Sequence, residues 1–240
     1  MEKLKKNIIH QIADIEIGRV FTYKDLIFPP EKFGSVIHIL FKNCCSGELV
    51  RIGRGAFYKP KESSLGLGLL PLDEDELLKY LSNKLNGYVT GLFAYNSMGL
   101  TEQIPSILTL ATKKYIRPFI FQSLKIETVR SYIEITDDRQ IVKYLRILDA
   151  IKDIKKIPAR TQQEVYEDIK SRYFETYSSE IQYKLVSLAK KYPPRVRKIL
   201  SDILRDIGSN EMSTELLSTI YPTTRFELNY IPAYKNESAS

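Results

Sequence analysis

Two histidines (His10 and His38), two adjacent cysteines (Cys44 and Cys45) and two Asp-x-Lys triplets at 153–155 and 168–170 are the residues here whose types could carry catalysis or hold a metal. The histidines share no metal-ligand spacing with the cysteines. Neighbouring cysteines rarely pair, because the eight-membered ring they would close is strained, and a lone pair builds no disulfide framework. They read as reduced, small apolar side chains. Asp-x-Lys is a spacing that metal-dependent nucleases use, but Asp153 and Asp168 both fall in expected surface helices, not at a strand end. There they read as solvated charges. No G-x-x-x-x-G-K-[ST], G-x-G-x-x-G or G-x-S-x-G run is present. The expectation is a protein with no enzymatic activity, no cofactor and no metal.

Cations offer a different chemistry, the neutralisation of phosphates. The 240 residues carry a formal net charge of +7 and a pI of about 9.1. Residues 1–61 hold eleven Lys or Arg against six Asp or Glu, a net +5. Residues 151–198 are also basic, with twelve against six. A basic balance permits a polyanionic partner without specifying one. Lys24, Lys32, Ser35, Lys42, Arg51, Arg54 and Lys59 are the candidates for contact with DNA.

The elements that position them are legible in the first quarter of the chain. Leu4, Ile8, Ile9, Ile12 and Ile15 give a helix its apolar side. Gly18 stops it, and Val20-Phe21 is a very short extended piece. Thr22 with Asp25 three residues on is an N-cap signal, so a short helix over 23–27 is expected. Pro29-Pro30 breaks it. A longer helix follows over 31–46, with Phe33, Val36, Ile37, Leu40 and Phe41 on its apolar face and Lys32, Ser35, His38, Lys42 and Asn43 opposite. His38 reads equally as a packed ring or as a reader of bases. Two extended runs at 48–52 and 56–59, joined by Gly53-Arg54-Gly55, predict a basic hairpin. Helix, short helix, longer helix and hairpin is the order of a winged helix-turn-helix. The third helix of such a unit fits the major groove, and its hairpin lies against the sugar-phosphate backbone.

Pro, Gly and Ser concentrate over 60–72, and a linker at 62–72 separates a 1–61 domain from a 73–240 domain. Four acidic residues over 73–76 begin a helix, and a further short helix is expected over 90–97. Residues 106–135 predict two or three antiparallel strands. Helices are expected over 138–154, 161–175, 179–191, 194–206 and 211–219, and a frayed polar tail ends the chain. The fold class is therefore α+β: a winged helix-turn-helix, then a mixed domain with a small antiparallel sheet and a helical C-terminal part. No leader-like apolar segment and no run near the ~20 residues of a membrane helix is visible, so a cytoplasmic protein without a membrane partner is expected.

Three stretches together resemble the AbiEi-like antitoxins of type IV toxin–antitoxin systems. The hairpin Leu49-Val50-Arg51-Ile52-Gly53-Arg54-Gly55-Ala56-Phe57-Tyr58 is similar to their R-x-G-R-G-x-Y-Y run. The segment from Gly87 to Pro105, with Gly91, Ala94, Asn96, Gly99-Leu100-Thr101 and Gln103, is similar to G-x-x-x-G-x-x-A-x-N-x-x-G-L-T-x-Q-x-P. Tyr192-Pro193-Pro194-Arg195-Val196-Arg197, with Tyr221-Pro222 and Thr224-Arg225-Phe226, is similar to their helical end. Phe57 stands where an aliphatic residue is more frequent, and the usual C-terminal tryptophan is missing. The resemblance implies a repressor that binds its own promoter as duplex DNA. It also implies a C-terminal domain that counteracts a nucleotidyltransferase-like toxin, without need of a stable complex. Thr101, Gln103, Arg195 and Arg197 are the candidates for the antitoxin surface. Arg195 and Arg197 sit in the first turn of an expected helix, where positive charge opposes the helix dipole. The alternatives are a stand-alone winged-helix regulator or protein-interaction module, and a nuclease using Asp153 or Asp168.

Overall fold

The computed structural model describes residues 2–63, 68–70, 72–121, 124–134 and 139–237. The chain is a mixed α+β protein that divides into two compact units, Met1–Lys84 and Leu85–Ser240.

The first unit runs α1 (Glu2–Ala13), β1 (Val20–Thr22), 3-10 turns at Tyr23–Asp25 and Pro30–Lys32, α2 (Phe33–Cys45), β2 (Val50–Gly53), β3 (Ala56–Tyr58) and α3 (Glu74–Leu85). The three strands form an antiparallel sheet in the order β1-β3-β2. This is the winged helix-turn-helix arrangement, with its second helix reduced to 3-10 turns. The expected cap is present: the Thr22 side chain accepts from Lys24 N, and Thr22 N donates to Asp25 Oδ2 at 2.7 Å. Ile8, Ile12, Phe21, Leu26, Val36, Leu40 and Leu49 make the core. Gln11 ties α1 to the turn before α2, accepting from Ile27 N at 2.7 Å and donating to Ile27 O at 2.9 Å.

The expected linker is partly ordered by its own backbone. Ser63 N donates to Gly68 O and Leu70 N to Lys61 O, around an isolated bridge between Glu62 and Leu69. Residues 64–67 and 71 lie outside the described set. The division between units falls after Lys84, so α3 belongs with the N-terminal unit and not with the rest of the 73–240 segment.

The second unit adds β4 (Gly87–Thr90), α4 (Gly91–Ser97), β5 (Ile107–Thr112), β6 (Phe119–Phe121) and β7 (Leu124–Arg130). The helical part follows as α5 (Arg139–Lys152), α6 (Gln162–Ile169), a π-helical turn at Lys170–Phe174, α7 (Ser179–Ala189), α8 (Pro194–Asp206), α9 (Asn210–Ser218) and α10 (Ala233–Glu237). Its sheet has the order β4-β5-β7-β6. One strand is added to the expectation and one pairing is corrected. β4 is a strand with all four residues buried, so no polar alternation betrays it. β5 and β7 run parallel, because the antiparallel β6–β7 pair places β7 next to β5. The core joins Tyr88, Tyr95, Leu145, Ile151, Tyr166, Leu185, Ile199 and Leu204.

Candidate nucleic-acid interface

α2 decides what the first unit can present. Val36, Ile39 and Leu40 point into the core, and Asn43 is buried with them. Asn43 Nδ2 donates to Ile39 O at 2.8 Å, so its amide is spent inside the helix. That corrects the sequence reading, which placed Asn43 on the outer face and Ile37 and Phe41 on the inner one. The solvent face carries Gly34, Ile37, His38, Phe41, Lys42 and Cys45, at the spacing of one helix side. The start of the helix is held by Phe33, whose ring meets Tyr23 edge-on at 5.1 Å. Between α1 and α2 lies an open groove of ≈ 730 Å³ lined by Lys5, Ser35, His38 and Lys42, with the carboxylates Glu2 and Glu48 also on its wall. Burial lifts the Cys44 thiol above its ordinary value, helped by Cys45 and opposed by Arg51.

The hairpin between β2 and β3 carries Arg51 and Arg54, both exposed. Arg51 Nε donates to Gly53 O at 3.1 Å, which holds the guanidinium along the hairpin. Lys24 and Arg54 come together in a second concavity with Arg19, Lys79 and Lys84, against Asp25 and Glu76. Sequence reasoning missed Arg19, Lys79 and Lys84 there; the last two lay beyond the expected linker. Lys32 and Lys42 are exposed at opposite ends of α2. Lys59 is different. Its Nζ donates to Ala13 O and Ile15 O, each at 2.9 Å, and so satisfies the carbonyls at the end of α1. Lys59 is a structural cation.

The second-unit candidates separate in the same way. Thr101 is 3% exposed; its Oγ1 donates to Pro158 O and accepts from Gln103 N. Asn96 Nδ2 donates to Thr101 O and Gln103 O, so Asn96, Thr101 and Gln103 form one loop brace. Gly99 has φ +70°, and a Cβ there would lie 2.5 Å from Arg172 Nη1, which itself donates to Met98 O. The positions of the Gly87–Pro105 motif that resemble the family are thereby mostly accounted for as architecture; of their side chains Gln103 is exposed, and between them Ser97, Glu102 and Ile104 also face solvent. Arg197 Nη1 donates to Thr219 O at the end of α9. Arg195 is half-buried, and its Nε and Nη2 have no hydrogen-bond partner among the described residues. Asp153 accepts from Tyr95 and pairs with Lys152 and Lys156, and Asp168 pairs with Arg160 and Arg172. Among the described residues no three His, Cys, Asp or Glu side chains gather as metal ligands, and no helix is long and apolar enough to cross a membrane.

No family profile matches the chain, and no curated protein matches it in sequence. A solved structure is similar in fold, the crystal structure of the RV2827C protein from Mycobacterium tuberculosis. The two superpose with a TM-score of 0.50 at 11% identity, over 90% of this chain and 81% of that one. That likeness concerns the fold alone.

Proposed function

We propose that the first unit binds duplex DNA, with α2 in the major groove and the β2–β3 hairpin against the phosphate backbone. The observation that carries this reading is the pairing of an open helix face on α2 with exposed cations on the hairpin, Arg51 and Arg54, and beside it, Lys24. A helix of this diameter fits the major groove, and hairpin cations suit phosphates. The chain is then a cytoplasmic DNA-binding regulator and not an enzyme. Its sequence resemblance extends the proposal to a type IV antitoxin that represses its own operon and counteracts a nucleotidyltransferase-like toxin through residues beyond Lys84.

The test uses the full chain and a duplex from upstream of its gene. Log affinity should fall linearly with log salt, at about −0.9 per phosphate neutralised. Arg54→Ala should reduce the magnitude of that slope by about one and weaken all sequences alike. A salt-independent affinity, or none for any duplex, overturns the reading. The antitoxin part is read separately, as cell survival on co-expression with a neighbouring nucleotidyltransferase-like gene. No rescue would leave a DNA-binding regulator alone.

A further inference from the structure

The solvent face of α2 holds more apolar surface than phosphate binding requires. Ile37 is 46% exposed and Phe41 59% exposed, and they stand one turn apart. Gly34, a turn before Ile37, has no atom within 4 Å of the place its Cβ would occupy. The same face carries Lys42 beside Phe41, and Lys32 precedes the helix.

The edges of the bases offer one distinctive apolar group in the major groove, the C5-methyl of thymine. Building on the reading of the first unit as a duplex binder, we propose that α2 recognises thymine-containing sites through Ile37 and Phe41, which pack against thymine methyls. Four residues of helix rise about 6 Å, and successive bases on a strand lie about 3.4 Å apart. Ile37 and Phe41 therefore address methyls about two base steps apart when the helix lies along the groove. Gly34 removes the side chain that would hold the start of the helix off the groove floor. Lys32 and Lys42 then reach the flanking phosphates.

A second copy of the chain is the competing occupant, and the face suits it less well. A stable interface takes about 20–30 residues a side, whereas α2 exposes three large apolar side chains, Phe33, Ile37 and Phe41.

The experiment selects high-affinity duplexes for the full chain from a random pool, then replaces thymine by deoxyuridine in the selected site. That change deletes only methyl groups and keeps every base-pair hydrogen bond. The wild-type chain should lose about four-fold in affinity per contacted methyl, the equivalent of ~0.8 kcal/mol. Ile37→Ala and Phe41→Ala should bind the two duplexes more nearly alike while keeping the wild-type salt slope. Equal wild-type affinity for thymine and uracil sites overturns the methyl readout and leaves DNA binding standing. Absence of binding to any duplex removes the underlying reading, and this one with it. Self-association in sedimentation that Phe41→Ala abolishes, without any deoxyuridine effect, overturns it in favour of a second copy.

Discussion

Asp149 is buried at 2% exposure and is surrounded by donors. The Tyr88 hydroxyl donates to it at 2.8 Å, Thr90 Oγ1 at 2.7 Å and the Tyr192 hydroxyl at 3.2 Å, with Lys152 Nζ at 3.5 Å. Burial works against the charge on Lys152, yet Asp149, Asp153 and Tyr132 outweigh it and hold its pKa above the usual lysine value of 10.5. Burial, then the Asp149 charge, pushes Tyr88 and Tyr192 above the usual tyrosine range. All three groups keep protons in the folded state that the unfolded chain releases. Stability is therefore complete below about pH 10 and declines as pH rises through 10 to 11. Urea denaturation at pH 8, 9.5 and 11 checks this; a midpoint that holds at pH 11 would contradict it. Nothing in the spacing of the sequence separates Asp149 from a solvated acid, because the hydroxyls that donate to it lie about 40 to 60 residues away. Arg197 was legible as a misfit against its helix dipole, but its partner at Thr219 was not.

At the scale of elements, helices with caps were the most readable. The Thr22 box, read from Asp25 three residues on, forms; Thr161 with Glu164 forms a second box of the same spacing, which the reading of 161–175 as a helix did not single out. The 194–206 helix is found at its expected bounds. α2 was read in the right place but turned on its axis, since Phe33, Val36, Ile37, Leu40 and Phe41 supply more apolar side chains than its buried side accepts. The parallel pairing of β5 and β7 was beyond local pattern, because register is set by neighbours and not by the strand's own residues. Lys59 shows how an element can claim a residue that charge alone assigns to DNA. Lys59→Met should lower the stability of the first unit by about 1 kcal/mol, through the bare carbonyls at the end of α1. It should leave the salt slope of DNA binding unchanged, whereas Arg54→Ala should do the reverse. Thermal melts beside salt titrations separate the two; a smaller slope for Lys59→Met would return it to the interface.

Across the whole molecule, composition marked a boundary near 60–72, and compactness sets it after Lys84. The acidic start of α3 resembled the opening of a new domain, and nothing local tied it back. The polar tail expected to fray is 235–240, of which 238–240 lie outside the described residues; just before it, residues 230–234 complete the second unit. The Tyr230 and Tyr234 hydroxyls donate to Asp202, and the Ala233 and Tyr234 amides donate to Asp206 at 3.0 Å. Tyr166 donates to Asp206 as well. A chain ending at residue 228 should lose about 3 kcal/mol from this unit, a fall of roughly 6–12 °C in its melting temperature. Calorimetry should show the first unit's transition unmoved; an unchanged second transition would mean that the tail contributes nothing.

The tail's grip on α8 also sets an order in time. The sheet of the first unit closes once residue 58 can pair with residues 20 and 50. Asp202 and Asp206 instead wait for partners that the ribosome has not yet made until it reaches residue 234. Since domains fold as units during synthesis, N-terminal first, a nascent chain passes through a stage in which its first unit is finished while the second still holds two carboxylates without their final donors.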